Sequence, residues 1–260
     1  MTSGHTSSSE RMLAIPRLFT LERPVWTVDE VSRELGISIS TAYRYFQSLI
    51  RFEYLDEVPG GGYRLGPAFI EFDRIIRATD PLSQVAGPIL SALAASMEPG
   101  TVLLLSQMYR RKVMCVQQEL VGTQEGAVSY ERGRPMPLFQ GATSKVILAH
   151  QPWRVQKREY ELNADYLRQA GLGADWKAFS AGLRDIRKRG YCVSRSEVDA
   201  GRMGIAAAIF SGSDHVQHSL SAVVWESQVD RRREERLIMG VVTAAGRISE
   251  ALTRLSGEAP

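Results

Sequence analysis

The sequence predicts an α+β protein of two domains: a winged helix-turn-helix followed by an antiparallel sheet covered by helices. Three observations predict it. Residues 27–52 read as helix, glycine turn, helix, and residues 54–66 follow as two short strands around a Pro-Gly-Gly-Gly turn. Beyond residue 100, pairs of aliphatic and β-branched runs alternate with amphipathic stretches.

The stretch from Ser38 to Phe52 organises the first domain. Ala42, Tyr45, Phe46, Leu49 and Ile50 recur at the 3, 4 and 7 spacing of a helix and should form its buried face. The other face carries Ser40, Thr41, Arg44, Gln47 and Ser48, short hydroxyls, a guanidinium and an amide that reach phosphates and base edges in a major groove. Upstream, Thr27 and Glu30 have the spacing of a capping box, Val28, Val31 and Leu35 make an apolar stripe, and Gly36 suits a C-cap. Downstream, Tyr54 and Leu55 open a strand, residues 59–62 turn, and Tyr63, Arg64 and Leu65 return before Gly66 and Pro67. Helix-turn-helix plus this wing points to double-stranded DNA.

The other elements follow in order. Residues 1–9 form a polar Ser/Thr-rich tail, read as disordered. A first helix is expected over Glu10 to Thr20 despite Pro16, and Trp26, in the connection, is a core plug. The winged domain spans residues 10–66. Residues 67–80 form a connecting helix whose Phe69, Ile70, Phe72, Ile75 and Ile76 are too apolar for a free linker and call for a partner, a copy in a second subunit. Asp80 and Pro81 restart the chain as N-cap and first helical residue, so the second domain covers residues 81–257. Its expected elements are a hairpin of Thr101–Gln107 and Lys112–Gln118, helices at Ser144–His150 and Trp176–Arg189, a strand at Tyr191–Ser194, a hairpin of Ile205–Phe210 and Gln217–Trp225, and a final helix over Arg231–Leu255.

Composition sets limits. No apolar run reaches the length of a membrane span and the amino terminus has no signal-peptide core, so a cytoplasmic protein is expected. The net charge is +3, yet residues 1–79 hold nine arginines against ten acids, so a basic DNA face must come from placement. Arg44, Arg51 and Arg64 should share that face while Glu30, Glu34 and Asp73 lie elsewhere. Cys115 and Cys192 sit in strand-like apolar runs and read as buried, reduced thiols. His215 and His218 lack convergent third ligands, so no metal is expected. Arg231, Arg232 and Arg233 precede Glu234 and Glu235, which reads as a salt-bridged helix face. Lys145 beside Ser144 lacks the Ser-x-x-Lys spacing of a nucleophile, so no catalytic residue and no cofactor are assigned.

The order helix-turn-helix, glycine wing, connecting helix, then Gly133-Arg134-Pro135-Met136-Pro137-Leu138-Phe139-Gln140-Gly141-Ala142-Thr143-Ser144-Lys145, then Arg189-Gly190-Tyr191, then Glu197 with Gly201, resembles the IclR family of bacterial transcriptional regulators over about residues 10–255. The resemblance implies a winged helix-turn-helix on a GAF-like ligand-binding domain. It also implies a homodimer or homotetramer on a palindromic operator. Ser40, Thr41 and Arg44 match the family's recognition helix, whereas Tyr43 stands where His is frequent and Ile39 where Lys is frequent. The candidate DNA contacts are Ser38, Ser40, Thr41, Tyr43, Arg44, Gln47 and Arg64.

For the ligand domain, the resemblance places Ala142 and Thr143 where a pocket meets a helix start whose N–H groups can hold a carboxylate. Ser221 matches a pocket hydroxyl. Gly204 replaces a common Cys, Val223 a common Ser and Ser194 a common Asp. With Met136 and Met203, these are the candidate effector residues, and Tyr109, Tyr130, Phe139 and Trp225 are further candidate walls. Gly for Cys and Val for Ser predict a larger, drier pocket, suited to an aromatic or other bulky carboxylate. A ligand-responsive regulator, repressor or activator of a catabolic operon, is the expected function. The alternative is an enzyme acting on a small organic acid, with the first domain serving assembly.

Overall fold

The computed structural model of the chain describes residues 7–123, 128–212 and 216–257. The chain divides into two compact units between Thr79 and Asp80.

In the first unit, α1 (Ser8–Ala14) is started by a reciprocal cap between Ser7 and Glu10. Pro16 ends it as a straight helix: the chain tightens into a 3₁₀ turn, Ile15–Leu18, with the proline at its beginning, where the missing N–H is harmless. The expected helix over Glu10–Thr20 instead begins at Ser8, inside the stretch read as a disordered tail, and is broken at Ala14. Thr27 and Glu30 form the capping box of α2 (Val28–Leu35), and Gly36 closes it at φ +61°, a conformation that costs glycine little. Ser38 then caps α3 (Ile39–Arg51), which buries Ala42, Tyr45, Phe46 and Leu49. Ile50, expected with them, is 38 % exposed, because one step past Leu49 turns it about 100° off the core axis. Strands β1 (Leu55–Val58) and β2 (Gly62–Leu65) pair antiparallel, with Leu55 opposite Leu65, and Trp26 bridges to Tyr63. Trp26 is a core residue whose Nε1 donates to the Leu18 carbonyl at 3.1 Å. Helix α4 (Ala68–Thr79) buries Ala68 and leaves Ile70, Phe72, Ile75 and Ile76 exposed.

The second unit begins with α5 (Pro81–Ala95), capped where the Asp80 carboxylate accepts from the Ser83 N–H at 2.9 Å. Six strands follow: β3 (Val102–Tyr109), β4 (Lys112–Leu120), β5 (Pro135–Pro137), β6 (Tyr191–Arg195), β7 (Arg202–Ile209) and β8 (His218–Trp225). They form one sheet in the order β5-β4-β3-β8-β7-β6, antiparallel at every pairing. Between β5 and β6 lie α6 (Gly141–Ala149), α7 (Trp153–Gln169) and α8 (Trp176–Arg189), and α9 (Arg231–Gly257) ends the described chain.

Strand alternation splits the core. Leu103, Leu105, Met203, Ile205 and Leu220 pack with α5 and α9, while Val102, Leu104, Ala206 and Val223 pack with α6, α7 and α8. Helices thus cover both sheet faces. Each large aliphatic side chain so removed from water contributes about 1.5–3 kcal/mol. Two elements are new relative to the sequence reading, α7 and the three-residue β5. Helix α6 also begins earlier than Ser144, at Gly141.

Candidate functional site

The first site is the outward face of α3. Ser40, Tyr43, Arg44 and Gln47 are exposed and Thr41 is half-buried, all held in place by the apolar residues on the inner face. Arg44, Gln47, Ser48 and Arg51 line one shallow depression with Met12 and Tyr45. Ser38 has a different position: its Oγ accepts from the Thr41 N–H at 3.2 Å and lies 2.8 Å from Thr41 Oγ1, so the hydroxyl is engaged in capping. Arg64 is on the wing, where its guanidinium lies 2.7 Å from Asp56 Oδ2 across the strand pair, compensating its charge. Glu30 and Asp73 also pair with arginines, Arg23 and Arg77. Arg44 and Arg51 therefore provide the local positive charge that the domain total conceals.

The second site lies in the second unit, beneath the start of α6. A cavity of about 30 Å³ is lined by residues that include Tyr130, Thr143, Ser194, Glu197, Arg202 and Val223. Gly141 opens α6 at φ +75°, and a β-carbon there would come within 2.9 Å of Val198, so both conformation and space require glycine. The first two helical N–H groups are taken: Gly141 donates to Glu197 Oε2 at 3.1 Å and Ala142 to Ser194 Oγ at 3.0 Å. Glu197 also meets Lys145 Nζ at 2.5 Å. The Tyr130 hydroxyl donates to the Gln140 carbonyl at 2.8 Å and pairs with Ser144 Oγ at 2.6 Å, and burial pushes its ionisation upward. Asp199 accepts from the Ser129 N–H at 2.9 Å and from Ser129 Oγ. The Arg202 guanidinium stacks 3.7 Å from the Trp225 ring centroid, and burial draws its pKa down against an opposing pull from Asp199.

Of the candidate effector residues, Ala142, Thr143, Ser194, Gly204 and Val223 line this cavity. Ser221 lies one contact behind it, with its Oγ 2.9 Å from Thr143 Oγ1. Met203 does not line it: adjacent residues of β7 face opposite ways, so Arg202 and Gly204 face α6 while Met203 packs among α5 and α9. Met136 is buried on the α6 side of the sheet but outside the cavity lining, as is Phe139, which packs on Tyr166. Tyr109 is largely exposed at the end of β3. The expectation of a larger pocket is corrected. The space has room for only one or two waters, and its hydroxyls and charged groups share the walls with Val128, Val198 and Val223. Gly204 does open space, but Ser194 takes part of it: a β-carbon at 204 would come within 3.1 Å of Ser194 Oγ.

Sequence reasoning missed Val128, Gly141, Glu197, Val198, Asp199 and Arg202 as lining residues. Arg202 carried a signal, since it stands two positions before Gly204 on one strand and so shares its face. A larger groove of about 370 Å³ runs between α5 and α9, but Arg233 and Arg236 at its edge both pair with Glu98. Arg231 pairs with Glu235 at 3.0 Å, and Arg195 reaches Glu234 at 2.6 Å, giving the salt-bridged face expected of α9. Cys115 and Cys192 are free and buried, with thiols pushed up to about 12 and about 11 by burial. His215 lies outside the described residues, and burial lowers the pKa of His218 at the start of β8. No group of side chains able to hold a metal is present among the described residues. No helix among them is long and apolar enough to cross a membrane.

Comparison with known proteins adds to this geometry. Residues 8–59 match the IclR helix-turn-helix domain, and residues 77–250 match the bacterial transcriptional regulator IclR C-terminal domain. The chain is 26 % identical over 249 residues to the HTH-type transcriptional regulator KipR of Bacillus subtilis, covering 93 % of this chain and 95 % of that protein. It is 22 % identical over 242 residues to the Pca regulon regulatory protein of Pseudomonas putida, covering 93 % and 82 %. Its fold is similar to the crystal structure of an IclR homolog from Microbacterium hydrocarbonoxydans complexed with 4-hydroxybenzoate, with a TM-score of 0.74, 19 % identity and coverage of 95 % and 100 %. With both domain models matched in order across most of its length, the chain belongs to the IclR family of DNA-binding bacterial transcriptional regulators.

Proposed function

We propose that this regulator binds a palindromic operator as a dimer or dimer of dimers and answers to an aromatic carboxylate bound beneath α6. The observation that carries the DNA part is the outward presentation of Ser40, Tyr43, Arg44 and Gln47 from a helix whose other face is core. The exposed Ile70, Phe72, Ile75 and Ile76 of α4 support self-association, because a stripe of that kind on a monomer is left in water. The cavity at the start of α6, with apolar walls beside hydroxyls and charged groups, supports an effector. The 4-hydroxybenzoate held by the Microbacterium relative, and the name of the Pca regulon protein, support an aromatic acid.

At about 30 Å³ the cavity admits only part of such an acid, so binding selects an arrangement with α6 and its neighbours further apart. An effector that prefers this arrangement changes the population of operator-competent molecules. DNase I footprinting on DNA upstream of the protein's own gene tests the reading. The expected result is protection of a dyad whose half-sites lie a whole number of helical turns apart. Uniform, sequence-blind protection would contradict it.

A further inference from the structure

We infer that the groove between α5 and α9 is a second ligand site, one that takes a medium-chain alkyl carboxylate. It belongs to the helix pair that covers the sheet face opposite to α6, so it shares no wall with the cavity described above and does not depend on the aromatic-acid reading. At about 370 Å³ it falls within the ordinary range for a bound small molecule, whereas the cavity beneath α6 is about 30 Å³. Its lining follows α9 from Arg233 to Arg247, roughly 20 Å of helix. A space of that volume spread over that length is narrow, which suits a chain better than a ring.

The walls fit both parts of such a molecule. Leu93, Met97, Leu237 and Ala244 make an apolar middle. Gly240 keeps that middle open: a β-carbon there would come within 2.6 Å of Met97 Cε and 3.1 Å of Leu93 Cδ1, and glycine inside a helix is otherwise unfavourable. Three arginines and one acid line the groove. The acid, Glu98, serves two of the arginines, Arg233 through Nε at 3.2 Å and Arg236 at 2.5 Å. Arg233 is buried; its Nη1 donates to the Gln228 carbonyl at 2.9 Å, and its Nη2 has no hydrogen-bond partner among the described residues. One carboxylate thus leaves the groove with an excess of positive charge. Arg247, at the far end, is exposed and has no carboxylate partner among the described residues. An alkyl carboxylate matches this pattern, its chain on the apolar middle and its head group on the Arg247 fork.

The test uses the full-length protein, with hexanoate and octanoate below their micellar range and 1-octanol as the uncharged probe. Binding is read by calorimetry, with circular dichroism and thermal melts on every variant. Wild type is expected to bind one octanoate per chain, to prefer it to 1-octanol, and to gain about fourfold in affinity for each methylene added to hexanoate. R247M should lose about tenfold for octanoate with little change for 1-octanol. T243F places a ring in the groove from an exposed position on α9, should weaken both probes, and supplies the readout if R247M does not fold. Wild type that binds neither probe, or binds without regard to charge and chain length, overturns the inference. So do R247M and T243F that bind as wild type does. A wild type that ignores octanoate while T243F sediments as a smaller species would assign the groove to a second copy of the chain, and that too overturns it.

Discussion

Lys145 Nζ lies 2.5 Å from Glu197 Oε1, while Oε2 of the same carboxylate accepts the Gly141 N–H at 3.1 Å. One side chain from the β6–β7 connection thus ties down both the first turn of α6 and a lysine further along it. Both side chains are mostly withdrawn from solvent, so neither charge is easily left alone. K145M should destabilise the second domain by about 2–4 kcal/mol, less than for a fully dry pair. The double variant K145M/E197Q should recover part of that loss, and urea unfolding of the two proteins measures the difference.

Arg44 and Ser38 separate two roles on one helix. R44A removes an exposed guanidinium and should weaken operator binding by about 1–3 kcal/mol if it reads a base, with thermal stability unchanged. S38A removes the cap of α3 and should lower stability by about 1 kcal/mol. Paired melting and operator titrations of the two variants check the contrast.

The buried thiols give a pH signature. An unfolded cysteine ionises near about 8.5, whereas Cys115 and Cys192 are pushed up to about 12 and about 11 in the fold. Below about pH 8.5 both states keep their protons and the thiols contribute no slope. Above it the unfolded chain releases protons that the native chain retains, so stability falls as pH rises toward 11. Ellman titration at pH 8 should label the thiols only as fast as the protein unfolds, and C115A/C192A should flatten the alkaline slope of stability.

Helix α4 gives a prediction about assembly. I75E places a charge on the exposed apolar stripe and should shift the protein toward monomer in sedimentation velocity at micromolar concentration. An unchanged distribution would remove this stripe from the interface.

Much of the fold was legible because short-range rules determine it. The spacing of Ala42, Tyr45, Phe46 and Leu49 defined α3, the Thr27–Glu30 pair defined the start of α2, and Asp80-Pro81 defined the start of α5. Helix α7 was not legible because it buries few residues, among them the polar Gln156 and Glu159, the latter paired with Arg111, and so lacks an apolar stripe. Strand β5 is three residues with two prolines, a pattern that argues against a strand until β4 supplies the edge. The cavity was legible only in part. Its helix wall follows a recognisable run of sequence, but Asp199 arrives from a connection whose path is a tertiary outcome, and Arg202 is placed only by its strand parity with Gly204. Met203 falls on the opposite sheet face because its position in β7 is odd with respect to Arg202 and Gly204.

The most direct measurement is a fluorescence-anisotropy titration on DNA upstream of the protein's own gene, run over a salt series with and without 4-hydroxybenzoate and related aromatic acids. The account predicts tight binding that scrambled DNA competes for poorly, a steep salt dependence, and an affinity that one aromatic acid shifts. Binding that is weak, indifferent to sequence and unmoved by every acid would contradict it.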